Sequence, residues 1–182
     1  GLLGDGRSVA DDDKINEGNI RPIISDDPNF YIQRVQVAAD ETIANIIDEI
    51  IKSRKYYKGS GNPTCYMGTD LLTDMLLLKD QFSHYMYKTA TELASVLRVS
   101  KIVEVEIMNS AVRVSGDDQF AIKAVIVNPK DYTFGADKGG QVGMFDDFDI
   151  DYNQYKYLME GRASGALTMP KSAIVIEALP AE

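Results

Sequence analysis

The chain has 182 residues, of which 45% are apolar and 26% charged, a balance that gives a globular chain with a buried core and excludes a disordered one. Its formal charge of −9 and pI near 4.6 set it against phosphate, which argues against sequence-specific binding of nucleic acid. One cysteine, Cys65, excludes an internal disulfide, and no stretch reaches the roughly 18 continuous apolar residues of a membrane span, so no membrane partner is expected.

Gly1 opens the chain without a Met, and Leu2 and Leu3 read as the end of something apolar, so a preceding portion is expected to have been removed by design or proteolysis. Gly4 to Asn29 is turn-rich, with Gly4, Gly6, Gly18, Pro22, Pro28 and the acidic run Asp11, Asp12, Asp13, and predicts a loop with short extended pieces. Phe30 to Val37 alternates with a period of two, which predicts a strand. Between Thr42 and Ser53 the period changes. Ile43, Ile46, Ile47, Ile50 and Ile51 fall on one stripe of a helix, with Asp40 placed to cap it. The basic run Lys52, Ser53, Arg54, Lys55, with Lys58 just beyond, closes that helix, where cations complement the helix dipole.

Tyr56 to Pro63 reads as a loop and Thr64 to Met67 as a short extended piece. Thr69 or Asp70 can cap a second helix carrying Leu71, Leu72, Met75, Leu76 and Leu78. Thr89-Ala90-Thr91-Glu92 fits a capping box ahead of a short helix through Leu93, Val96 and Leu97. From there the pattern turns to strands. Lys101 to Met108 alternates, and Ala121 to Val127 is an apolar run stopped by Asn128-Pro129. Gly139-Gly140 is a turn signal, Phe148 to Met159 alternates as one strand, and Ser172 to Leu179 is a last β-branched run. Helices in the first half and strands in the second, without steady βαβ alternation, predict an α+β fold.

Candidate chemistry is sparse. Cys65 and His84 could form a nucleophile pair, yet Cys65 sits in an apolar strand pattern and no activating group is visible. One Cys and one His do not make a zinc site. Asp149, Asp151, Asn153 and Glu160 occupy positions 1, 3, 5 and 12 of a calcium loop, but Gln154 stands where the sharp turn needs Gly, and the flanks read as a half-solvated strand. Gly4-Asp5-Gly6 and Gly59-Ser60-Gly61 lack the rest of a phosphate-binding loop. No catalytic residue, metal site or cofactor is expected.

A longer pattern carries more. Glu41 to Ile51 looks like a helix opening a domain, and Thr64-Cys65-Tyr66-Met67-Gly68-Thr69-Asp70 with Leu71-Leu72 like a strand feeding a capped helix that ends at Leu76-Leu77-Leu78-Lys79-Asp80. Glu92 to Val99 with Lys101 to Val105 gives a short helix and strand. Val127 to Gly135 leads to Asp146-Asp147-Phe148-Asp149-Ile150-Asp151. Arg162-Ala163-Ser164-Gly165-Ala166-Leu167 then precedes Pro170-Lys171-Ser172 and a closing apolar strand. In this order the segments resemble the major capsid proteins of tailed phages and prophages, the Hong Kong 97-type fold, over roughly Gly1 to Ala178.

The resemblance implies a structural subunit of an icosahedral phage head that assembles into pentamers and hexamers around the DNA genome. It implies no enzyme activity, and a place in the virion after assembly in the host cytoplasm. Its partners would be copies of itself in capsid rings, with scaffold or portal proteins as further ones. Residues 1–37 would be the link and strand of a peripheral domain, 38–140 the axial domain, and 141–182 the return strands to the peripheral domain. The family's N-terminal arm, hairpin loop and spine helix have no counterpart in the sequence. Candidate subunit-contact loops hold Tyr57, Lys58, Gly59 and Ser60; Phe82, His84 and Tyr85; and Phe134, Asp137 and Lys138. The competing readings are another phage structural part, such as a connector or tail subunit, a calcium-binding module on Asp149 to Glu160, and a hydrolase using Cys65 and His84.

Overall fold

The computed structural model describes residues 20–136, 143–160 and 163–179. The acidic run Asp11 to Asp13 and the Gly139-Gly140 turn lie outside them. The strands in chain order are β1 (Ile32–Val37), β2 (Thr64–Met67), β3 (Ile102–Glu104), β4 (Val112–Ser115), β5 (Asp118–Val127), β6 (Tyr132–Ala136), β7 (Gly143–Asp149), β8 (Gln154–Glu160), β9 (Ala163–Leu167) and β10 (Ala173–Ala178). The helices are α1 (Ile43–Ser53), α2 (Thr69–Leu76) and α3 (Ala90–Val96).

Six strands make the main sheet, in the order β1-β10-β5-β2-β3, with β4 also paired to β5. β1 runs parallel to β10, while β5 runs antiparallel to β10, β2 and β4. All three stretches into which the sequence was divided therefore contribute strands to one sheet. β10 and the second half of β5 lie in its middle, and their apolar runs, Ala173 to Ile176 and Ala124 to Val127, reflect burial on both faces. On one face Ile174, Ile176 and Ala178 pack with Ile46, Ile47 and Ile50 of α1, Met75 of α2 and Leu93 of α3. On the other, Ala173 and Val175 pack with Ile23, Ile24, Ile32, Met108 and Leu167. Each fully buried isoleucine contributes roughly 1.5–3 kcal/mol.

The local signals set these elements with some revisions. α1 takes Thr42 rather than Asp40 as its cap, the Asn45 amide donating to the Thr42 hydroxyl at 3.3 Å. α3 keeps half of the expected box: the Glu92 amide donates to Thr89 at 3.2 Å, while the Glu92 carboxylate accepts from the amide of Lys88, one residue before the cap, at 2.8 Å. α2 is capped from a distance. Gly68 is its N-cap residue, and Asn109 reaches across to accept from the Asp70 amide and donate to the Thr69 hydroxyl. The strand expected over Lys101 to Met108 stops at Glu104, because β2 offers only four residues to pair with it. A 3-10 turn from Glu106 to Asn109 follows, burying Met108 and bringing Asn109 to α2.

The second correction is larger. Phe148 to Met159 is not one strand but most of a hairpin, β7 and β8, pairing Asp149 with Gln154 around a four-residue turn. Asn153 takes the left-handed conformation there, φ 49°, which asparagine tolerates better than most residues. β6 and β9 form a separate two-stranded ribbon, joined at the middle of β9 by a bridge from Ile20 to Gly165.

One charged group lies inside the sheet. Glu177 on β10 is fully buried and accepts two hydrogen bonds from Arg113 of β4, at 2.8 and 2.9 Å, and one from Gln36 of β1 at 3.0 Å. Arg34 stands 3.6 Å away. Burial would push the Glu177 carboxyl up, but the bonds from Arg113 and Gln36 and the charges of both arginines outweigh it and hold it below the ordinary glutamate value. The Arg113 guanidinium also lies 4.3 Å from the centre of the Phe120 ring. These bonds tie β1, β10 and β4 together across the sheet.

Candidate assembly surface

For a subunit expected to meet its own copies, the informative features are ordered loops that present apolar or charged side chains to solvent. Three regions of this chain do so.

The first is the loop after α1. Asp131, almost wholly buried, accepts from the Ser60 amide at 2.8 Å and from the Tyr57 hydroxyl at 3.3 Å. Asn128 donates to the Ser60 carbonyl at 2.6 Å. Burial and the neighbouring Asp131 carboxylate push the Tyr57 hydroxyl up to about 12. A Cβ on Gly59 would collide with the Asp131 carboxylate and the Tyr57 ring, so glycine is required there for close approach. Of the four candidate contact residues in this loop, Tyr57, Gly59 and Ser60 are internal pins, and Lys58 is the exposed one.

The second is the connection between α2 and α3. The Asp80 carboxylate accepts from the amides of Phe82 at 2.8 Å and His84 at 2.9 Å, and Ser83 takes a left-handed φ of 64°. The Asp80 amide donates to the His84 carbonyl and the Met86 amide to the Leu78 carbonyl, which fixes the loop's shape. It holds Phe82, 71% exposed, together with Tyr85 and Met86 out into solvent. His84 is exposed on the same loop, its ring 3.5 Å from Asp80.

The third is formed by β6 and the hairpin. Phe134 is exposed on β6, opposite Gly165 of β9. Asp137 and Lys138 lie outside the described residues, as does Arg162. The hairpin exposes Met144, Phe148, Ile150, Tyr152, Tyr155 and Tyr157. None of these six was a sequence candidate. Their signal is a phase change: Phe148, Ile150 and Tyr152 fall on even positions, Tyr155 and Tyr157 on odd ones, and the switch marks the turn.

The candidate chemistry dissolves on inspection of the same regions. Cys65 is fully buried in β2 among the helices, where burial pushes its thiol up to about 12, whereas His84 is out on the α2–α3 loop facing Asp80. The two are not brought together. In the calcium stretch, the Asp149 carboxylate is occupied by Lys156 Nζ and by the Asp151 amide. Glu160 closes the far end of β8, about 20 Å along the strand from Gln154. Among the described residues no group of three or more His, Cys, Asp or Glu is placed to hold a metal ion, and no helix is long and apolar enough to cross a membrane.

A mixed sheet with three helices on one face and a two-stranded ribbon packed against the other through Leu167 defines an α+β architecture, and comparison with solved structures makes it specific. The capsid of a native GTA particle, computed with C5 symmetry, aligns with a TM-score of 0.55 at 13% identity over 81% of this chain and 54% of that one. A phage-related protein from Bordetella bronchiseptica RB50 aligns at 0.51 and 14% identity, over 82% of this chain and 57% of that one. A chain from Mycobacterium phage Ogopogo aligns at 0.50 and 8% identity, over 81% and 54%. The fold is that of phage major capsid proteins, the Hong Kong 97 type. The chain spans about half the length of the solved chains it matches. No protein-family model and no curated protein matches its sequence.

Proposed function

We propose that this chain is a structural subunit of an icosahedral phage head, associating with copies of itself in rings of five and six that enclose the DNA genome. The observation that carries this reading is the shared fold: 81% of the chain superposes on a capsid subunit although only 13% of aligned residues are identical. A fold kept at that divergence fits a role that depends on surface shape, without a reactive centre.

In this reading residues 38–140 carry the axial domain, its sheet completed by β1 and β10, and residues 1–37 and 141–182 otherwise lead to and from the peripheral domain. Lys58, Phe82, His84, Tyr85 and Phe134 are subunit-contact residues, with Tyr57, Gly59 and Ser60 holding the first loop in shape. Rings of this kind are heterologous contacts that close by rotation, and many moderate interfaces sum to a stable shell. The charge of −9 keeps free subunits soluble before assembly and keeps the inner wall from adhering to packaged DNA. The role is structural rather than catalytic and the place of action is the virion.

Negative-stain microscopy of the protein expressed at its full natural length tests the reading. Closed shells or isolated five- and six-membered rings are the expected result. A protein that stays monomeric at high concentration, with or without co-expressed phage proteins, contradicts it.

A further inference from the structure

The β7–β8 hairpin is a two-stranded sheet with no third strand among the described residues, an arrangement that is marginal in water by itself. Its pairing places Asp146 opposite Tyr157 and Phe148 opposite Tyr155, so Met144, Asp146, Phe148, Tyr155 and Tyr157 share one face. On that face Phe148 and Tyr155 lie 5.0 Å apart between ring centres, and Tyr155 and Tyr157 lie 6.4 Å apart. At the tip Ile150 is 82% exposed and Tyr152 74% exposed, the Tyr152 ring 5.9 Å from Lys156 Nζ of the other face. A continuous aromatic face of this kind marks a surface that is covered in use. The hairpin is also acidic: from Asp146 to Tyr157 it carries four aspartates and one lysine, with Asp146 on the aromatic face, Asp151 in the turn, and Lys156 bound to Asp149 on the opposite face.

Among the described residues, the end of α1 offers this surface a matched counterpart. From Lys52 to Lys58 four cations occur with no acid among them, in a chain whose acids outnumber its bases 28 to 19. Lys55 and Lys58 are exposed and join no ion pair among the described residues. Tyr56 is half exposed, with Lys55 Nζ 4.7 Å from its ring centre. The segment is held rigidly, since the Arg54 guanidinium donates to the Arg98 carbonyl and the Lys58 amide to the Lys171 carbonyl.

We propose that the aromatic face of the hairpin docks on the basic end of α1, Lys52 to Lys58, of a second copy of this chain. The inference rests on the self-assembly proposed above. Hairpin and basic end are different patches, each exposed in its own chain, so the contact is head-to-tail and propagates around a ring. Tyr155 and Tyr157 meet Tyr56, and Asp146 and Asp151 meet Lys55 and Lys58. The charges choose the partner and the register, while the aromatic area supplies most of the attraction.

Charge reversal on each side tests it, in the protein at full natural length. The variants are K55E/K58E, D146K/D151K, and the two combined, followed by sedimentation velocity and negative stain at low and high salt. Each single-sided reversal is expected to lower the assembled fraction about tenfold, and the combination to recover most of it. All four residues are exposed, so unchanged thermal melts are expected to confirm folding. Should a reversal unfold the chain, K58Q and D146N test the same contact through a weaker dependence of assembly on salt than the parent shows. Single-sided variants that assemble like the parent, or a combination as defective as either side, overturn the docking and leave the shell function standing. A parent that forms no assembly overturns the shell function, and the docking with it.

Discussion

β10 and the β7–β8 hairpin are both built from strand-forming residues, and the chain treats them in opposite ways. Every residue from Ala173 to Ala178 is buried, and even the charged Glu177 is enclosed with its partners. In the hairpin, every residue from Asp146 to Tyr157 except the half-buried Asp149 is exposed, aromatic rings included. The composition shows why. β10 is β-branched and aliphatic, suited to dense packing between two layers. The hairpin is tyrosine-rich, and tyrosine tolerates water while free and gives a large rigid area when covered. One region stabilises the fold; the other offers its area to the contact proposed above.

Substitutions in the two regions should therefore separate stability from assembly. The largest loss is expected for Glu177→Ala, which leaves Arg113 and Arg34 without their carboxylate inside the sheet and should cost about 3–5 kcal/mol in denaturant unfolding. Glu177 also sets a pH dependence. Its folded-state value lies below the ordinary 4.5, so its stabilisation is complete above about pH 4.5 and fades as pH falls through the folded value. Acid titration of Glu177→Gln should show a flatter loss of stability over that range than the parent.

Ile176→Ala, on the helical face of the same strand, should cost about 2–5 kcal/mol by opening a cavity against α1. Asp131→Ala should cost about 1–3 kcal/mol, since it strands the Ser60 amide and the Tyr57 hydroxyl and loosens the loop after α1. The smallest effect on folding is expected for Tyr155→Ser with Tyr157→Ser, within about 0.5 kcal/mol of the parent because both rings are exposed, with assembly reduced all the same. If that pair instead destabilised the chain as much as Ile176→Ala, the contrast between the regions would collapse.

The elements set by local chemistry were legible in the sequence. The isoleucine stripe of α1, the cap at Thr89, the apolar run of β5 and its stop at Asn128-Pro129 all correspond to observed features. Features that depend on distant partners were not. Glu177 reads as one charge in a β-branched run, and its partner Arg113 lies 64 residues away. β3 is shorter than its own alternation because β2 limits it, and α2 takes its cap from Asn109. β4, four residues long, was not among the expected strands, although Gly116, with φ 63°, marks the turn that joins it to β5.

At the candidate surface, exposure of Lys58, Phe82, His84, Tyr85 and Phe134 followed from their place in loops and ribbon, whereas the inward turn of Tyr57 depends on Asp131, a tertiary partner. The aromatic hairpin was the main omission. Continuous alternation was read as one strand, and the change of phase after Tyr152 was the overlooked signal.

Hydrogen exchange on free and assembled protein at full natural length tests the contrast most directly. β10 amides should be protected in both states, while the β7–β8 hairpin should exchange fast in the free subunit and become at least about a hundredfold slower on assembly. A hairpin that exchanges equally fast in the closed shell would contradict the account, because its aromatic face would then remain in water where the neighbouring copy should cover it.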